Sequence, residues 1–135
     1  MPTPDNAMRH VMQDLAPYEG LLSTVVGVEH REGRPGRRRV VAVATDQRLL
    51  VASVRDPAHP QRVPYAQITQ AAIESDEHGS HLVIQVRTGE PLHIDRLRDP
   101  AAGEVFVALV NARAGTPGRQ ADRPSPRVRL VTATD

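Results

Sequence analysis

Between Arg31 and Arg39 the chain reads REGRPGRRR, five arginines against one glutamate, and here side-chain type and spacing come nearest to a chemistry. Guanidiniums are planar forks that hold phosphate or carboxylate oxygens two at a time. Gly33 and Gly36 leave room for backbone amides to approach an anion. Arg31, Arg34, Arg37, Arg38 and Arg39 are therefore the candidate anion-binding residues. The run carries +4 and the segment 116–135 carries +2 in a chain whose total is +1, so the rest stands at −5. A solvated loop explains the same residues equally well, because all 17 basic residues are arginine and none is lysine, a bias of composition.

Other chemistries find less support. Asp76, Glu77, His78 and His81, with His93 nearby in a strand register, are of metal-ligating type, but a metal needs three or four ligands converging at about 2 Å. An exposed hairpin turn uses the same residue types, so no metal site is assigned. There is no cysteine, which removes disulfides, thiolate sites and a thiol nucleophile. Ser23, Ser53, Ser75 and Ser80 lack a nucleophile-elbow context, and no phosphate-cradling glycine pattern follows a strand. No catalytic residue and no cofactor is expected, and the chain reads as a protein that is not an enzyme. Tyr18, Tyr65 and Phe106 are the only aromatics, too few to form stacking platforms for bases. Specific nucleic-acid recognition is not expected.

The elements that must position these residues form one domain with tails, since 135 residues suffice for a single core. No apolar stretch approaches the ~20 residues of a membrane span, and MPTPDNAMRH lacks the basic-then-apolar order of a secretory signal. The expected compartment is the cytoplasm. In DNAMRHVMQDL, Ala7, Met8, Val11, Met12 and Leu15 share one helical face, with Asp5 as N-cap and Pro17 closing the segment 1–17. From Leu21 to Thr88 the period becomes that of short strands at hairpin spacing. VAVATDQRLLVA turns at Asp46 and Gln47, because Asp tolerates tight-turn geometry and bonds its own backbone.

In HLVIQVRTGEPLHID, a loop of Arg87, Thr88 and Gly89 with Gly89 left-handed pairs Ile84 with Leu92 and Leu82 with Ile94. That register puts His81, Val83, Gln85 and His93 on the outer face, with His81 opposite Asp95. A second helix follows, with Asp99 as N-cap, Pro100 at its first position, Gly115 as its stop, and Val105, Phe106, Leu109 and Val110 as its buried stripe. The segment 116–135 is rich in Pro, Arg and small polar residues and is expected to be a disordered basic tail, although VRLV has the pattern to add to a sheet edge.

VVAVATDQRLLVASV, followed by RVPYAQITQAAI, resembles the bacterial pleckstrin-homology-like domains of the YokE type. The resemblance rests on Thr45, Asp46, Arg48 and Leu49, then Pro64, Tyr65 and Ile68, and covers roughly residues 15–114. It implies a mainly β (α+β) fold, a partly open antiparallel barrel of about seven strands with an N-terminal helix and a C-terminal capping helix, the domain proper being 18–115. Tyr65 and Ile68 are similar to residues that shape a strand bend and feed the core. In eukaryotic relatives of that fold the loop between the first two strands binds inositol phosphates through a basic residue, a spacer, and two basic residues one apart. Arg31, Arg37 and Arg39 match that spacing.

The expected function is a small interaction module that binds a protein partner or a second copy of itself. The alternative is capture of an anionic lipid headgroup, phosphate or polyanion backbone at residues 31–39.

Overall fold

The computed structural model describes residues 2–30, 36–77 and 79–116. Arg31, Arg34, His78 and the tail beyond Thr116 lie outside the described residues. The first element, α1 (Pro4–Gln13), is capped by Thr3, whose side chain accepts from the Asn6 amide at 3.1 Å, with Pro4 at its first position. Asp5, expected as the cap, instead sits inside the first turn. Pro4 suits that start because its ring pre-sets the helical φ and the position needs no amide proton.

Seven strands follow: β1 (Leu21–His30), β2 (Arg37–Thr45), β3 (Arg48–Ser53), β4 (Gln61–Pro64), β5 (Ile68–Asp76), β6 (Gly79–Val86) and β7 (Leu92–Asp95). One turn of 3-10 helix, Tyr65–Gln67, joins β4 to β5, and α2 (Pro100–Arg113) ends the described chain. The strands form a single antiparallel sheet ordered β4-β3-β2-β1-β7-β6-β5, with β4 and β5 as its two edges. The sheet does not close on itself. The fold is thus mainly β and PH-like, with one helix before the sheet and one after it.

The pairing of β1 with β7 spans only Val28–His30. Helix α2 packs against both β1 and β5. Phe106 and Val110 of α2 join Val25, Leu49, Ile68, Leu82, Ile84, Leu92 and Ile94 in the main core. The expected stripe is right at those two positions and wrong at Val105, which is 56% exposed, while Leu109 is half-buried. Gly103 is buried instead, because the helix axis approaches β5 so closely that a Cβ there would stand 2.8 Å from Ile73 Cδ1.

A second, smaller core explains a feature of the strand sequences. VVAVA and LLVA do not alternate apolar with polar, as a strand with one wet face does. Helix α1 covers the outer face of β2 and β3, where Ala7 and Val11 pack on Val41, Val43, Leu50, Ala52 and Val54. Met12, expected on that face, is 50% exposed.

The β6–β7 register is the expected one, Leu82 opposite Ile94 and Ile84 opposite Leu92, with Gly89 at φ +94°. The loop is longer than three residues, because β6 continues to Val86, which pairs with Ile68 on β5 and not with β7. Neither helix is long and apolar enough to cross a membrane among the described residues.

Candidate functional site

Asp46 and Gln47 form the two-residue turn between β2 and β3, and the residues around them converge on Glu19, which no motif in the sequence marks. The Glu19 side chain is 1% exposed. Its carboxylate accepts from Arg48 twice, Nη2 to Oε1 at 3.0 Å and Nε to Oε2 at 3.1 Å. The Thr45 hydroxyl donates to Oε2 at 2.6 Å and the Ala16 amide to Oε1 at 3.1 Å. Thr45 Oγ1 in turn accepts from the amides of Gln47 and Arg48, both at 3.0 Å. Asp46 and Gly20 bond reciprocally, the Gly20 amide to Asp46 Oδ1 at 3.1 Å and the Asp46 amide to the Gly20 carbonyl at 2.9 Å.

Burial would push the Glu19 carboxyl up, but the Thr45 hydroxyl, the Ala16 amide and the Arg48 guanidinium outweigh it and hold the group below the ordinary carboxylate value. Tyr65 is buried, and desolvation pushes its hydroxyl up to about 12, so it remains a donor, here to the Thr45 carbonyl. Both oxygens of Glu19 are engaged. The arrangement is that of a lock between the loop before β1, the β2–β3 turn and the bend after β4. Leu49 and Ile68 lie beside it in the core.

The arginines of β2 divide by the alternation of the strand. Arg38 points to the same side as the core, where its Nε stands 2.5 Å from Oε1 of the buried Glu29, its cross-strand partner on β1. Arg37 and Arg39 face the other way. They line, with Arg38, Pro2, Ser53, Val54 and Arg55, a groove of about 550 Å³. Its wall is fixed by the bond from the Val54 amide to the Arg39 carbonyl at 2.9 Å, and the chain then turns on Ser53, whose hydroxyl accepts from the Arg55 amide at 3.2 Å. Arg55 comes from the segment after β3, and nothing in the sequence run 31–39 announces it. Among the described residues, Arg37, Arg39 and Arg55 take part in no ion pair.

His81 stands between two carboxylates, Nε2 3.0 Å from Asp76 Oδ2 and Nδ1 3.2 Å from Asp95 Oδ1. The second contact is an ion pair without hydrogen-bond alignment. The Asp76 hydrogen bond, together with both charges, raises the imidazole above its ordinary value against a smaller opposing effect of burial. The two carboxylates address different ring nitrogens and so do not converge on one point. Among the described residues no group of three or more His, Cys, Asp or Glu is placed to hold a metal ion.

No family model and no curated protein matches the chain. Among solved structures it is similar to the C-terminal domain of an unknown protein from Leishmania infantum, at 13% identity and a TM-score of 0.62, over 82% of this chain and 98% of that one. It is also similar to a DUF1696 family protein with a pleckstrin-homology domain from Shewanella loihica PV-4, at 17% identity and a TM-score of 0.46, over 84% of this chain and 97% of that one. At such identities the likeness is one of fold.

Proposed function

We propose that the chain is a non-enzymatic binding module of the cytoplasm, that it belongs with the YokE-type PH-like domains, and that it captures an anionic ligand at the groove of Arg37, Arg39 and Arg55. One observation carries the ligand: three arginines from two separate segments, none in an ion pair among the described residues, line one groove of about 550 Å³. That volume is in the range of small-molecule sites. A phosphate ester suits it, because each guanidinium offers two parallel donors to a tetrahedral anion. Arg38 contributes less, since Glu29 already neutralises it. The family assignment rests on Thr45, Asp46, Arg48 and Leu49 meeting Pro64, Tyr65 and Ile68 in one corner.

The test is retention of the full chain on heparin, on vesicles with and without phosphatidylserine, and on single-stranded DNA over a salt series. Wild type is expected to bind with steep salt dependence, the apparent slope falling by about one for each phosphate no longer held. Arg37→Ala, Arg39→Ala and Arg55→Ala together should abolish retention, and Arg38→Ala should weaken it least. Lys at the same three positions keeps charge without the fork and separates the two contributions. Wild-type chain that shows no salt-dependent retention on any of the three overturns the proposal.

A protein partner or self-association is the second reading, favoured by the exposed apolar side chains of Tyr18, Leu21 and Leu22 in and before the start of β1. Sedimentation velocity over a concentration series tests it. A dimer that Leu21→Ser with Leu22→Ser dissolves supports it.

A further inference from the structure

A groove of about 380 Å³ opens beside the edge strand β4, with Val63 and Pro64 on one wall, Val86, Glu90 and Leu92 on the other, and Gln67 at one end. Among the described residues β4 pairs with β3 alone, so alternate backbone groups along it are directed away from the sheet. Backbone donors and acceptors on one side and an apolar opposite wall are what an added extended strand requires.

The chain leaves α2 at this same place. The Gly115 amide donates to the Tyr65 carbonyl at 2.8 Å, and the Arg87 side chain donates to the neighbouring Ala66 carbonyl at 2.8 Å. Tyr65 and Ala66 lie between Pro64 and Gln67 of the groove, and Arg87 follows Val86. The 19 residues 117–135 therefore start at its lip. Among them only Arg127–Val131, RVRLV, has strand character, with Val128 and Leu130 on one face and Arg127 and Arg129 on the other. The ten residues 117–126 reach up to roughly 33 Å when extended, ample for a return to a groove so near the exit. Charge agrees with this occupant: the groove's carboxylate is Glu90, and its own arginine, Arg62, is held by Asp14 at 2.7 Å.

We propose that Arg127–Val131 of the same chain docks in this groove as an eighth strand on the edge of β4, with Val128 and Leu130 toward Val86 and Leu92. The docked segment covers the sheet edge that would otherwise template pairing with another chain.

The test uses the full chain and the full-length double variant Val128→Asp, Leu130→Asp, which leaves both hydrophobic cores unaltered. Hydrogen exchange of the one amide among Arg62 and Val63 that faces away from β3 is expected to be at least about tenfold faster in the variant. A fluorescent peptide of residues 126–132 should bind the variant, where the groove is vacant, and bind wild type weakly, where it competes with the attached segment. Equal exchange in the two proteins with no peptide binding overturns the proposal. Protection that appears only at concentrations where sedimentation shows a dimer also overturns it, since a second copy then fills the groove.

Discussion

The Tyr65 hydroxyl donates to the Thr45 carbonyl at 2.5 Å, and that bond joins the two halves of the sequence motif, the turn after β2 and the bend after β4. The bond is buried and spans 20 residues of chain. Tyr65→Phe keeps the ring and leaves the carbonyl without its donor. The expected loss is about 1–2 kcal/mol, or roughly 4–12 °C in Tm for a domain of this size. Thermal unfolding followed by circular dichroism measures it, and a shift under about 1 °C would show that the bond contributes nothing to stability.

Glu19 gives the fold an acid-sensitive point. Its folded-state value lies below the ordinary 4.5, so its contribution is present above the unfolded value and is lost as pH falls through the folded one. Glu19→Gln should lower stability at pH 7 by about 3 kcal/mol, because Arg48 and Thr45 lose the charge they are arranged around. Its urea midpoint should also fall less than that of wild type between pH 5 and pH 3. Parallel pH profiles for the two proteins would contradict the role given to this carboxylate.

The sign is opposite at His81. A raised imidazole contributes stability that is complete below its unfolded value of about 6.5 and disappears as pH rises through the folded value. The groups facing it are Asp76 on β5 and Asp95 on β7, with Glu74 as its cross-strand partner. Wild type should be more stable than His81→Gln at pH 6, and the difference should shrink by pH 8.5. Urea titrations at the two pH values decide this, and a constant difference would mean the ring is held by packing alone.

Two buried glycines should respond differently to the same methyl group. At Gly27 a Cβ would stand 2.5 Å from Ile94 Cγ2 and 2.7 Å from the Asp95 carbonyl oxygen, so backbone must move. At Gly103 the contacts are the Cδ1 ends of Ile73 and Leu97, side-chain atoms and not backbone. Gly27→Ala is expected to cost about 2 kcal/mol. Gly103→Ala should lie within about 1 kcal/mol of wild type, because the helix propensity gained offsets the repacking. Equilibrium unfolding of the pair checks the contrast, and equal losses would contradict the close approach of β1 to β7.

The local chemistry of this chain is legible in its residues alone. Asp46 and Gln47 turn the chain because of their own backbone preferences, Asp99 and Pro100 start a helix for the same kind of reason, and a period of two sets Leu82 against Ile94. What lies beyond that reach is each choice made by a distant partner. The 3.6-residue period puts Val105 inside and leaves Gly103 unmarked, because it identifies an apolar face without saying how closely the helix will approach β5. Glu19 meets Arg48 across 29 residues, and Asn111 bonds both the amide and the carbonyl of Ala71 on β5 across 40, and no spacing rule connects such pairs. The arginine run illustrates the division most plainly. Sequence marks five equivalent cations, and the structure separates the three on β2 because a pleated strand sends Arg38 to a buried carboxylate and Arg37 and Arg39 to the opposite face, where the turn after β3 adds Arg55. Composition and period are properties of neighbours in the chain, whereas a site is a property of neighbours in space, and only the folded sheet brings residues 37, 39 and 55 to one groove.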